Sequence, residues 1–271
     1  MATATSAAPA GPRLRFDRSL AGGWTLARRA RLGSVRFGGE ALTRRMLEGT
    51  QVGEGSRVVD LAPGYGATGA LLNDVNLRSY TAVVPDTGRM AAVRGRLEGP
   101  AREVVLGAPD ATGLPDQEAT AVIGEGLLTG VSDPTKVAIL AEACRIVRPG
   151  GLVAFHELLA LRDAWSDDEV PLRRELGTVG LRPLDEAGWR RVMAQAGLDP
   201  IGVSLGAVEA PSPRQAVADA GRGAARGVIQ ALTCPGRAAR GFHRAAYLLD
   251  AHRDGLAGVV LVGRRPVLAR R

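Results

Sequence analysis

The sequence is nearly without lysine. Lys136 is the only one, so almost all positive charge is carried by arginine. A bias that lopsided reflects GC-rich codon usage more than a designed arginine surface. Aromatic residues make up 4% of the chain and hydrophobic residues 45%. The core must therefore be built from Ala, Val and Leu, which suits an α/β protein with buried parallel strands. There are two cysteines, Cys144 and Cys234. Neither sits at a metal-like spacing, so both read as reduced, intracellular thiols. No His/Cys/Asp spacing suggests a metal, and no Gly-x-Ser-x-Gly nucleophile elbow occurs. No run approaches the roughly 18 apolar residues of a membrane span. Residues 1–12 are rich in Ala, Thr, Ser and Pro without an apolar stretch. They read as a disordered tail and not a signal peptide. The expectation is a cytoplasmic protein with a single domain over 13–271.

What is present is a basic chain with alternating strand and helix signals. The formal net charge is +7 over 271 residues. That excess favours anionic partners, whether phosphorylated or carboxylated small molecules or nucleic acid. Apolar runs predict strands at 57–61, 80–84, 103–107, 119–123, 152–158, 201–205 and 257–262. Helical periodicity predicts helices at 39–47, 67–72, around 90–97, at 133–147 and at 184–196. Asp133 and Pro134 mark the start of the fourth helix, and Pro149-Gly150-Gly151 stops it. Alternation of this kind predicts a doubly wound, Rossmann-like sheet of seven strands, mostly parallel. Between the last two strands, residues 208–253 read as a helical insertion of two helices split at Thr233-Cys234-Pro235-Gly236. Connections this long serve as lids or interfaces. Either a lid over an acceptor pocket or a homodimer interface is open to this one. Its arginines, Arg222, Arg226, Arg240 and Arg244, are expected to meet an anionic acceptor or an acidic partner surface.

The most informative stretch is Val58-Val59-Asp60-Leu61-Ala62-Pro63-Gly64-Tyr65-Gly66-Ala67-Thr68-Gly69. It is a strand, an acid at its end, and a glycine-rich turn opening a helix. Gly64 to Gly69 satisfies Gly-x-Gly-x-x-Gly, whose glycines let the backbone approach a ligand. An NAD site wants its acid at the end of the second strand. An S-adenosylmethionine site uses an acid at the end of the first, which Asp60 supplies. The 56 residues before the first strand also favour the second cofactor.

From about Leu32 to His156 the chain resembles the class I S-adenosylmethionine-dependent methyltransferases of the small-molecule type. Asp60 to Gly66 is similar to the family's first motif. Gly107-Ala108-Pro109-Asp110-Ala111-Thr112-Gly113-Leu114-Pro115 resembles its adenine-side stretch. Val122-Ile123-Gly124-Glu125-Gly126 resembles the segment beside the methyl donor. Leu140 to Phe155, with Arg148-Pro149-Gly150-Gly151, is similar to the helix, turn and strand that follow. Arg36-Phe37-Gly38-Gly39 resembles the entry loop some members place against the cofactor. The resemblance implies that Asp60 holds the methionine amino group over a floor of Ala62, Gly64 and Gly66. It also implies that Asp110 accepts the adenine amino group beside the backbone of Ala111.

One position departs from the pattern. The family ends its second strand with an acid that holds the ribose, where this chain has Val83-Val84-Pro85-Asp86. Asp86 comes late: it either swings in to the ribose or only caps the next helix. Among groups at strand ends, His156 is the candidate general base. Glu125 is the candidate for positioning substrate or meeting the cofactor's charged end. Tyr65 either faces the substrate or packs. The reading is a methyltransferase of small molecules. Its alternatives are a cofactor-binding member with other chemistry, a nucleic-acid methyltransferase, and a cofactor-poor binding or scaffold protein.

Overall fold

The structure is a computed structural model, and it describes residues 36–161, 170–210, 212–233 and 236–267. The expected tail at 1–12, the start of the resemblance at Leu32, and Cys234 lie outside those residues. Seven strands form one sheet: β1 (Arg57–Leu61), β2 (Ser79–Val84), β3 (Arg102–Leu106), β4 (Ala119–Glu125), β5 (Val147–Ala160), β6 (Asp199–Ala207) and β7 (Leu256–Arg264). Their order is β3-β2-β1-β4-β5-β7-β6. β1 pairs in parallel with β2 and β4, β2 with β3, and β4 with β5. β7 runs antiparallel between β5 and β6. The helices are α1 (Gly39–Gly49), α2 (Ala67–Ala70), α3 (Thr87–Arg94), α4 (Asp133–Ile146), α5 (Val170–Thr178), α6 (Glu186–Gln195), α7 (Pro213–Thr233) and α8 (Arg237–Ala251). The doubly wound Rossmann-like sheet with a helical insertion before its last strand is therefore what the chain forms.

Each face of the sheet carries its own apolar core. Val59, Leu61, Val122 and Phe155 pack with α4 and with Trp189 of α6 on one side. Val58, Ala82, Ile123 and Val260 pack with Leu42 and Met46 of α1 on the other. Strands covered on both sides must be apolar throughout, which is why β4 and β7 read as continuous runs rather than alternating ones.

Helix boundaries follow local chemistry. The side chain of Asp185 accepts from the Gly188 amide at 2.6 Å, so α6 starts at Glu186 and not at Leu184. Ser132 takes the N-cap position of α4 in place of Asp133. Asp133 instead pairs with Lys136 at 2.8 Å, and Lys136 lies fully buried with its ammonium 5.7 Å from the Trp189 ring centre. β5 begins directly at Val147, earlier than the apolar run implies. Arg265 makes this possible by donating to the carbonyls of Cys144, Arg145 and Val147 at 2.7–2.9 Å. Those are the carbonyls a helix end leaves unpaired.

Candidate functional site

Beyond the carboxyl end of β1 the chain makes the glycine turn. Ala62, Gly64 and Gly66 all have positive φ, at 56°, 62° and 82°. The amide of Gly64 donates to the Ala62 carbonyl at 2.7 Å, and that of Gly66 to the Pro63 carbonyl at 2.8 Å. Ala62 is the residue of the three with a Cβ, and it holds a left-handed conformation that costs about 1–2 kcal/mol. Every residue from Leu61 to Gly69 is buried. Tyr65 packs against Ala220, Val228 and Leu232 of α7 and Phe242 of α8, with the Arg89 guanidinium 5.7 Å from its ring centre. The insertion thus sits on the turn.

Asp60 and Glu125 end neighbouring strands. The Tyr80 hydroxyl donates to Asp60 at 2.6 Å. Burial pushes the Asp60 carboxyl up to about 7; the Tyr80 bond and Arg36 oppose this, and the charge of Glu125 adds to it. Glu125 is caged. Thr43 and His156 Nδ1 bond its Oε1, the latter at 3.1 Å, while Thr68 and Arg36 Nε reach its Oε2, the latter at 3.4 Å. Burial alone would raise its carboxyl. The His156 bond, the Arg36 charge and the Thr43 bond outweigh that and hold it at about 2.

His156 lies between Glu125 and the entry loop, with none of its surface exposed. The Gly38 amide donates to its Nε2 at 3.0 Å, so Nδ1 carries the proton that Glu125 accepts. Both ring nitrogens are engaged, and neither has a lone pair facing a substrate. The ring joins β5 to the entry loop.

The remaining expected residues are more open. Asp86 sits at the N-cap position of α3 without making a side-chain cap bond. Its carboxylate is 41% exposed and lies 3.5 Å from Arg89. The end of β2 itself is Val84, which is buried in the core. Asp110 is half-buried and Ala111 exposed, in a turn closed by the Ala111 amide on the Ala108 carbonyl at 3.0 Å. Glu142 anchors this turn by accepting from the Thr112 amide and hydroxyl at 2.8 and 2.6 Å. Arg222, Arg226, Arg240 and Arg244 are exposed, and Arg244 pairs with Glu175 at 3.1 Å.

Sequence reasoning missed Thr43, Thr68, Tyr80 and Asp219. Asp219 on α7 meets Arg36 at 3.4 Å and accepts from Gln215 at 2.9 Å. A signal for it existed: Asp219 is the sole acid between Ala210 and Asp250. A cleft of about 380 Å³ opens between the start of α4 and α5, lined by Asp133, Pro134, Leu176, Leu181, Arg173 and Arg182. Among the described residues no His/Cys/Asp/Glu group could hold a metal ion, and no helix is long and apolar enough to cross a membrane.

Residues 59–155 match the family model described as a methyltransferase domain. An uncharacterised protein of Haemophilus influenzae is 24% identical over 71% of this chain and 78% of its own. Among solved structures, the [4+2]-cyclase SpnF superposes with a TM-score of 0.66 at 17% identity, over 92% of this chain and 94% of that one. Geranyl diphosphate C-methyltransferase of Streptomyces coelicolor A3(2), solved with S-adenosyl-L-homocysteine, superposes with a TM-score of 0.57 at 14% identity, over 83% and 79%.

Proposed function

We propose, from the match of residues 59–155 to a methyltransferase domain, that the chain is a class I methyltransferase that binds S-adenosylmethionine and transfers its methyl group to a small-molecule acceptor. The observation that carries this reading is the presence of Asp60 and Glu125 near the carboxyl ends of the adjacent strands β1 and β4, where the chain after β1 makes a turn with positive φ at 62, 64 and 66. Acids at that place suit the ammonium group of the cofactor's methionine end. The backbone of 62–66 suits the close approach of its body. Asp110 and Ala111 suit the adenine edge. Asp86 fits the ribose less well, since it stands two residues past β2 and pairs with Arg89. The cofactor supplies an electrophilic methyl on a sulfonium. The chain supplies orientation and exclusion of water.

His156 positions the entry loop and Glu125 and takes no proton from the acceptor. Rate enhancement then comes from proximity. The cleft between α4 and α5 is lined by Leu176, Leu181 and Leu184 with Arg173, Arg182 and Asp133 at its polar edge, which suits a small acceptor with an apolar body.

Two measurements test the proposal. Calorimetry with S-adenosylhomocysteine should show binding, and Asp60→Ala should weaken it by about 1.5–3 kcal/mol. Turnover of labelled methyl donor with anionic small molecules should keep the same pH profile from 6 to 9 when His156 is replaced by Asn. A profile that loses a limb in that variant would restore His156 as the base. Absence of binding by the unaltered chain would sink the cofactor assignment. A second reading has one observation behind it: the [4+2]-cyclase superposes with the higher TM-score. Binding of the cofactor without methyl transfer to any acceptor would favour that kind of chemistry.

A further inference from the structure

The two ends of the cofactor site are covered very differently. Asp60, Glu125 and the whole turn from Leu61 to Gly69 are buried. At the adenosine end, Asp86 and Asp110 are half-buried and Ala111 is exposed. The sheet does not cause the difference. Two segments cover the methionine end: the entry loop bearing Arg36, and the first half of α7 bearing Asp219.

Arg36 holds these pieces together, and holds them loosely. Its Nε lies 3.4 Å from Glu125, its Nη1 3.4 Å from Asp219, and its Nη2 3.4 Å from Thr68. Charge-assisted bonds between such groups are usually about 2.7–2.9 Å. Among the described residues the Arg36 guanidinium is the permanent cation in contact with Glu125; His156 bonds the carboxylate through Nδ1 while its Nε2 accepts from the Gly38 amide. Withdrawing Arg36 would leave a buried carboxylate unpaired, which is strongly unfavourable unless another cation takes its place.

α7 is built to move there. It is broken at Gly221, where φ is 66° and ψ 175°, a backbone conformation that favours glycine. Arg96 donates to the Asp219 carbonyl at this break, and its Nη1 lies 3.0 Å from where a Cβ on residue 221 would stand. Beyond the break, Val228 and Leu232 are buried against Phe242. Before it, Ala220 alone is buried in the apolar cluster against Tyr65, Asp219 is buried on Arg36, and Ala216 and Val217 are only partly buried. The second half is held by large apolar side chains, the first half by one small side chain, Ala220, and by the polar contacts of Asp219.

We propose that residues 213–220 form a gate over the methionine end of the cofactor site, latched by Asp219 through Arg36 and hinged at Gly221. This rests on the cofactor reading above. The ligand that opens it is one carrying its own cation: an ammonium group replaces the guanidinium on Glu125 as Arg36 leaves with Asp219. Asp219 is a positioning residue, since it sets where Arg36 stands. A ligand that ends at the adenosine thioether needs no opening.

The test compares S-adenosylhomocysteine with 5′-methylthioadenosine, which lacks the amino-acid end. Association rates are measured by surface plasmon resonance for the unaltered chain, Asp219→Ala and the volume-conserving Asp219→Asn. Hydrogen exchange at 213–220 and 225–233 is followed in the same proteins. In Asp219→Ala, S-adenosylhomocysteine should associate about tenfold faster, the equivalent of about 1.4 kcal/mol of latch. Methylthioadenosine should be unaffected, and Asp219→Asn should fall between. Exchange should rise at 213–220 and stay constant at 225–233. An unchanged ratio of the two association rates overturns the gate, whether neither rate moves or both move alike. Should the unaltered chain bind neither ligand, the cofactor reading fails. The exchange measurement then decides the gate alone, and no rise at 213–220 overturns it.

Discussion

Asp60 and Glu125 stand on neighbouring strands and are shifted in opposite directions. Both are buried, so solvation pushes both carboxyls up. Glu125 has the hydrogen bonds of His156 and Thr43 and the Arg36 guanidinium to reverse that; Asp60 has the Tyr80 phenol and a lesser effect of Arg36, and feels the charge of Glu125 besides. The consequences for stability have opposite signs. With its carboxyl raised to about 7, Asp60 makes the folded chain bind an extra proton between about pH 4 and 7, so stability falls as pH rises through that range. Glu125, held at about 2, contributes stability that is complete above about pH 4.5 and lost as pH falls towards 2. Asp60→Asn keeps the shape and removes the titration. Urea unfolding between pH 4.5 and 7 should show a decline in the unaltered chain approaching about 1.4 kcal/mol per pH unit, the slope of one proton, and a much flatter line in the variant. Parallel slopes would mean that Asp60 ionises near its ordinary value. Sequence placed Asp60 and Glu125 where apolar runs stop, and His156 with them; β5 in fact runs on past His156 to Ala160, so the imidazole reaches Glu125 from within the strand. It gave no sight of Tyr80 or Thr43, whose partners lie 20 and 82 positions away.

At the scale of elements, legibility tracked the strength of the apolar period. α4 and α6 stand out because Leu140, Trp189, Val192 and Met193 recur on one face and are buried. α5 was not anticipated: among its described side chains only Leu176 is buried in the core. β5 extends back to Val147 through a Pro-Gly-Gly stretch that reads as a loop, because the capping guanidinium of Arg265 comes from beyond β7. The turn after β4 was likewise opaque. It is held by Glu157, which accepts from the amides of Leu127, Leu128 and Thr129 and from the Thr129 hydroxyl at 2.7–3.0 Å. Glu157→Gln puts an amide donor where only donors point. The loss should be about 1–3 kcal/mol in urea unfolding, the cost of leaving buried donors unsatisfied. Glu186→Gln, at an exposed helix pair, should change stability by less than about 1 kcal/mol. Equal effects would show that the β4 turn is held by its apolar contacts alone.

For the whole molecule, the question is what the helical insertion contributes. Read from sequence it is a lid or a dimer interface; in the structure it joins β6 and β7, which pair with each other. The structure ties it in more deeply. Phe242 and Leu232 pack on Tyr65, and Leu248 and Leu249 pack with Phe37, Leu158 and Leu256. Burying these side chains with Val228 contributes about 1.5–3 kcal/mol each. The total is of order 10 kcal/mol, comparable with the roughly 5–15 kcal/mol that a domain has in all. Replacing 208–253 with a short Gly/Ser loop should therefore abolish cooperative unfolding. Replacing only 210–220 should leave a folded chain, because α8 and the second half of α7 keep their apolar contacts. That shorter replacement separates cover from scaffold. It should fold, melt in one transition, and bind S-adenosylhomocysteine with faster association than the unaltered chain, while methyl turnover falls because water reaches the site. Calorimetry and labelled turnover check the two halves. A folded, fully active protein lacking all of 208–253 would show instead that the sheet and its own helices are sufficient, and that the insertion serves another surface.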